Sequence, residues 1–159
     1  MTLLGMVAQL TQAGVRFVLI GGLAMRAHGS GHVTDDLDIC YDPAPDNVRR
    51  LGDILVQWQA YLRGAPPGLP FVPDARQVRS TPVMTLTTAF GSIDVMDRVA
   101  GVGEFEAVRQ ASLSLTIGGH EVMVLDLPGL IAAKRAARRP KDLAQLPELE
   151  ALLELRDKR

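Results

Sequence analysis

The run Asp36-Leu37-Asp38-Ile39 constrains this chain more than any other, because acid and aliphatic alternate with the period of a β-strand. Successive strand side chains point to opposite faces, so Leu37 and Ile39 enter a core while Asp36 and Asp38 project together from the other side. Their Cα atoms then lie roughly 6 to 7 Å apart, close enough for both carboxylates to reach one hard cation through oxygen. Asp94, in Ser92-Ile93-Asp94-Val95-Met96, has the same setting, and a neighbouring strand would bring it beside the pair. Three carboxylates so gathered suit two magnesium or manganese ions, roughly 3.5 to 4 Å apart, that stabilise the attacking and leaving oxygens of a displacement at phosphorus. Taken singly, each acid reads more simply as a solvated strand-end residue; the three together do not.

A second signal precedes the first. Val18-Leu19-Ile20-Gly21-Gly22-Leu23-Ala24 is an apolar strand running into a glycine turn and then a helix-forming stretch, Leu23 to His28. A helix N-terminus there would present free amides to an anion, and glycine would let a phosphate approach the backbone closely.

With Gly21-Gly22, then Thr34-Asp35-Asp36-Leu37-Asp38, then Asp94 on a later strand, the chain resembles the nucleotidyltransferase superfamily that includes DNA polymerase β. More narrowly, it is similar to small bacterial members related to AbiEii-type toxins. The resemblance spans roughly residues 15 to 145 and extends to Lys134-Arg135-Ala136-Ala137-Arg138-Arg139-Pro140-Lys141-Asp142-Leu143. It departs at His32, where relatives often carry arginine. The resemblance implies an α/β (α+β) nucleotidyltransferase fold, a mixed sheet flanked by helices with a C-terminal helical pair. It also implies catalytic and metal-holding roles for Asp36, Asp38 and Asp94, and nucleotide contacts from Gly21, Gly22 and Lys134. The cofactor would be Mg2+ or Mn2+, the donor a nucleoside triphosphate, and the acceptor RNA such as tRNA. The same resemblance suggests a toxin held in check by an antitoxin protein.

Composition sets outer bounds. At 159 residues and 47% hydrophobic content, one domain over 1–159 is expected, with 128–159 as a C-terminal helical extension. A net charge of −1 gives no global pull toward nucleic acid, so any such contact needs a local basic patch. Cys40, the single cysteine, excludes an internal disulfide and suits a buried place in a strand. No long apolar span and no signal-peptide pattern in Met1 to Gly14 is visible, so a cytoplasmic protein without membrane contact is expected.

The punctuation divides the chain into alternating elements. Thr2 caps a helix ending at Gly14, a strand runs from Arg16 to Ile20, and Gly29-Ser30-Gly31 reads as a mobile loop into the strand Asp36 to Tyr41. Pro45 opens a helix that places Val48, Leu51, Ile54, Leu55 and Trp58 on one face, so Trp58 reads as core. Residues 64–74 carry four prolines and form a loop. Hairpins are signalled over Val83 to Asp97, delivering Asp94, and over Leu113 to Leu125. Asp97 is the rival third carboxylate, but odd spacing puts it on the other face. Pro128 and Pro140 begin two last helices that should pack on the sheet.

Between those helices sit Lys134, Arg135, Arg138, Arg139 and Lys141, which also read as the solvated face of an amphipathic helix. His28 and His32 lack the offsets of a zinc motif, and neither a P-loop nor a dinucleotide fingerprint occurs. Three readings follow. The first is a transferase moving a nucleoside monophosphate to an RNA hydroxyl. The second uses the same metal site on a small molecule, aminoglycoside-type, or a protein. The third is a non-catalytic module that keeps the fold but binds nucleotide, nucleic acid or a partner protein. With so short a chain, a homodimer or separate subunit would complete the cleft.

Overall fold

The alternation at residues 36–41 builds a strand at the centre of the sheet. In the computed structural model, which describes residues 2–158, α1 (Leu3–Gln12) starts at Thr2, whose hydroxyl accepts from the Gly5 amide at 3.1 Å. Met1 and Arg159, the ends of the expected 1–159 span, lie outside the described residues. Next come β1 (Phe17–Ile20), α2 (Gly21–Ala27), β2 (Asp36–Tyr41), α3 (Pro45–Gln57), the short β3 (Tyr61–Leu62) and α4 (Ala75–Ser80). The hairpin of β4 (Val83–Thr88) and β5 (Gly91–Met96) follows, then a small ribbon of β6 (Arg98–Val99) and β7 (Gly103–Glu104). The chain closes with α5 (Phe105–Gln110), the hairpin of β8 (Ser112–Ile117) and β9 (His120–Leu125), and the C-terminal pair α6 (Leu127–Ala137) and α7 (Pro140–Asp157).

The main sheet has the order β3-β4-β5-β2-β1-β9-β8. It is mixed: β2 runs parallel to β5 and β1 parallel to β9, while the other neighbours are antiparallel. Leu37, Ile39, Ile93 and Val95 are all fully buried, so the aliphatic half of the alternation faces the core as the sequence predicts. Trp58 is also buried, and its indole N–H donates to Gln9 Oε1 at 2.7 Å, tying the end of α3 to α1. Cys40 is a buried free cysteine whose thiol burial pushes up to about 12. Among the described residues no helix is long and apolar enough to cross a membrane.

One expectation is corrected by the packing. Residues 29–31 are not a loose connection. Ser30 is buried, its hydroxyl bonds Glu148 of α7, and the same oxygen accepts from the His32 amide at 3.0 Å. α7 also lies against α6, with Leu149 and Asp142 buried.

At the opposite end of β1 and β2 the strand start is held by a buried asparagine. Asn47 Oδ1 accepts from the Arg16 amide at 2.6 Å, and its Nδ2 donates to the carbonyls of Arg16 at 2.9 Å and Asp42 at 2.8 Å. An aliphatic side chain there would leave those backbone groups without partners in a dry place. Asn47→Leu is therefore expected to lower stability by about 2 to 4 kcal/mol in urea denaturation. A loss below about 0.5 kcal/mol would show that this anchor is dispensable.

Candidate active site

Register decides the site. β2 and β5 pair in parallel with Asp36 opposite Ser92 and Asp38 opposite Asp94, so the two later acids stand side by side on neighbouring strands. Burial, first of all, pushes the Asp38 carboxyl up to about 7. The charge of Asp94, a hydrogen bond shared with it and the charge of Asp36 add to that rise, while the Lys134 ammonium opposes it. Of the two neighbouring acids, Asp94 thus acts on Asp38 more strongly than Asp36 does. Asp97 lies past the end of β5, its carboxylate bonded to Arg98 at 2.9 Å, and takes no part.

The glycine turn abuts Asp38. In the antiparallel pairing of β1 with β2, Ile20 lies opposite Asp38, so the chain leaves β1 directly beside it. Gly21 has φ +68°, and a Cβ there would lie 2.1 Å from Asp38 Oδ2. At Gly22 a Cβ would meet Thr34 Cβ at 2.8 Å and His32 Cδ2 at 3.3 Å. Both positions thus need glycine for a reason internal to the chain: the turn must pass under the side chains that precede and include Asp38. Thr34 in turn shapes the entry to β2, its hydroxyl accepting from the Asp36 amide at 3.3 Å.

Three cations surround this acidic centre. Lys134 Nζ lies 3.1 Å from Asp142 Oδ1, and Arg139 Nε lies 2.6 Å from Asp142 Oδ2. Burial works against ionisation of Asp142, but hydrogen bonds from Arg139 and Lys134 outweigh it and hold that carboxyl below its usual range. The bond to Asp142 raises Arg139 foremost, and the charges of Asp38 and Asp94 raise it further, so its guanidinium also feels the central pair. The third cation, Arg63, follows β3 and donates from Nη2 to Asp94 Oδ1 at 2.7 Å.

The predicted residues Asp36, Asp38, Asp94, Gly21, Gly22 and Lys134 accordingly cluster about the neighbouring ends of β1, β2, β5 and α6. Arg63 and Arg139 join them, and the sequence offered a signal only for Arg139, within its basic cluster. His28 bonds the Leu125 carbonyl at 2.8 Å, and His32, beside Gly22, lies 3.5 Å from Gln145 Nε2. The donor set is chemically right for a hard divalent ion, since crowding of aspartates is relieved by a cation bound through oxygen. It is not closed, however: among the described residues no three His, Cys, Asp or Glu side chains form a finished ligand group. Two cavities of about 550 Å³ lie elsewhere, one beside Val15, Phe17 and Phe105 and one between α6 and α7.

The mixed sheet with its flanking helices and terminal helix pair is a nucleotidyltransferase-like fold. A solved structure of a putative nucleotidyltransferase from Thermotoga maritima matches all of this chain and 97% of its own, with a TM-score of 0.50 and 15% sequence identity. At that identity the likeness concerns the fold alone. No family model matches the sequence, and no curated protein matches it.

Two predictions follow from the crowding. Because the folded Asp38 carboxyl titrates above its ordinary value, the folded state holds its proton more tightly. Stability from this group is present below about pH 4 and is lost as pH rises toward about 7. Asp38→Asn should therefore melt above the wild type at about pH 8, by at least about 1 kcal/mol, with the gap closing toward pH 4. A gap that does not vary with pH would exclude buried charge as its cause. Gly21→Ala should cost about 2 kcal/mol or more, from left-handed strain and the clash with Asp38. Gly31→Ala, where a Cβ meets nothing within 4 Å, should cost far less, and equal losses in the two variants would contradict the close approach.

Proposed function

We propose that this protein is a divalent-metal-dependent nucleotidyltransferase. It moves a nucleoside monophosphate from a nucleoside triphosphate to an acceptor hydroxyl and releases pyrophosphate. The observation that carries the reading is the side-by-side placement of Asp38 and Asp94 on parallel strands, with the Gly21 turn packed against Asp38 and Asp36 two residues from it. Half-buried carboxylates held side by side repel, and a cation bound through oxygen relieves that repulsion.

Asp36, Asp38 and Asp94 would hold Mg2+ or Mn2+, which supplies charge neutralisation at the attacking and leaving oxygens. Asp94 accepts the proton of the acceptor hydroxyl. The acceptor oxygen forms a bond to the α-phosphorus as the bond from that phosphorus to the bridging oxygen breaks, and pyrophosphate departs. The backbone of the Gly21-Gly22 turn meets the phosphates, and Lys134, with Arg139 beside it, supplies positive charge to the triphosphate. RNA such as tRNA is the favoured acceptor; a small molecule or a protein side chain needs the same site. A toxin related to the AbiEii type, checked by an antitoxin and acting in the cytoplasm, belongs to this reading, as does a single domain completed by a homodimer.

One observation favours a second reading, a non-catalytic module that binds nucleotide, nucleic acid or a partner. The cations a triphosphate would need are already engaged, Arg63 with Asp94 and both Lys134 and Arg139 with Asp142. Incubation with each α-labelled nucleoside triphosphate, Mg2+ or Mn2+ and total RNA separates the two. Metal-dependent label on RNA, reduced about a hundredfold or more in Asp36→Ala plus Asp38→Ala, is expected. Absence of both label and pyrophosphate, with small-molecule and protein acceptors also supplied, would leave the binding module.

A further inference from the structure

Arg63 reaches the acidic centre across two strands. β3 pairs antiparallel with β4, Leu62 lies opposite Leu86, and the Arg63 amide donates to the Thr85 carbonyl at 3.1 Å, which aims the side chain over β4 toward β5. There Nη2 donates to Asp94 Oδ1 at 2.7 Å and to the Leu86 carbonyl at 2.8 Å, with the Ile93 carbonyl at 3.5 Å. Nε is buried without a partner. The guanidinium thus forgoes one of its own hydrogen bonds in order to meet Asp94, although a buried unpaired donor is unfavourable.

The pair is sheltered, Arg63 being 32% and Asp94 22% exposed, so solvent screens it less than a surface ion pair. Arginine stays charged at any working pH, and only a competing positive charge can take the carboxylate from it. The Leu86 and Ile93 carbonyls give the guanidinium a place to remain once Asp94 is taken. Displacement then costs one contact and not the whole anchorage.

From this geometry we infer that Arg63 is the resident counter-cation of Asp94, displaced when a divalent ion binds, and that it therefore weakens metal binding at the aspartates. The inference rests on the metal-site reading of Asp36, Asp38 and Asp94. While Arg63 holds one Asp94 oxygen, the ligand group stays open; when the ion takes that oxygen, the guanidinium remains on the Leu86 and Ile93 carbonyls without its carboxylate.

The test is titration of the whole protein with Mn2+ at about pH 8, above the raised Asp38 value, reading free Mn2+ by electron paramagnetic resonance. Arg63→Gln should bind Mn2+ about tenfold more tightly than wild type, because a fixed positive charge and a competing hydrogen bond are both gone. Arg63→Lys, which keeps the charge, should stay within about twofold of wild type. Wild-type binding that Arg63→Gln leaves unchanged or weakens overturns the role of Arg63 alone, and so does an Arg63→Lys as tight as Arg63→Gln. No Mn2+ binding by either wild type or Arg63→Gln overturns the metal-site reading and this inference together. Should the glutamine variant fail to fold, nitrogen-labelled wild type gives the answer: added Mg2+ should shift the Arg63 Nε–H resonance. A resonance that stays fixed as Mg2+ saturates the protein overturns the displacement.

Discussion

The site depends on one registration, that of Asp38 against Asp94 across the parallel pair β2 and β5. Two carboxylates would not choose each other, and the core behind them makes the choice. Leu37, Ile39, Ile93 and Val95 are fully buried on those two strands, and each contributes about 1.5 to 3 kcal/mol relative to exposure. A slip of one residue by either strand would turn its two aliphatic side chains to the acidic face and carry its acid into the core, which is far costlier than the repulsion it would relieve. Hydrophobic burial thus holds an electrostatically strained pair in place, and the Asp38 carboxyl is pushed up first by its own burial and then by the charge of Asp94.

Around the pair, elements distant in sequence set access. α7 reaches the loop before β2 through Glu148 at Ser30 and Gln145 at His32, and Leu152 lies under Gly29. The same loop carries Thr34, which packs over Gly22. The C-terminal helices therefore do more than flank the sheet: they fix the segment that presents Asp36 and Asp38, and they bring Lys134 and Arg139 toward it. Asp142, 1% exposed, is the hub of that arrangement, accepting from Lys134, from the Arg139 side chain and from the Arg139 amide.

Much of this was legible because it is written in local pattern. Alternation marks β2 and β5, Gly118-Gly119 marks the β8–β9 hairpin, Thr2 and Pro45 mark helix starts, and the observed elements fall close to those signals. What was not legible depends on distance. Arg63 meets an acid 31 residues away across an intervening strand, and β3 before it is only two residues long, too short for any period to register. The glycines illustrate a subtler loss: their positions were evident, but the steric partner of Gly21 is Asp38, visible only once β1 and β2 are paired. The anchoring of Ser30 was hidden in the same way, since a glycine-flanked serine reads as loose until α7 is laid against it.

The charges at the centre also bear on the order in which a substrate and its metals would enter. Asp36, Asp38, Asp94 and Asp142 face Arg63, Lys134 and Arg139, four carboxylates against three cations, so the side chains of the centre are close to balance among themselves. A lone divalent ion would tip that balance toward positive, with the three resident cations opposing it. A lone triphosphate, carrying about four negative charges, would meet the aspartates directly. Two divalent ions and a triphosphate arriving together would change the net charge little: the ions would compete with Arg63 for Asp94, and the phosphates would meet the positive side of the Lys134–Asp142–Arg139 cluster. In the proposed reaction, then, the resident ion pairs act against partial loading and favour the complete metal–nucleotide complex.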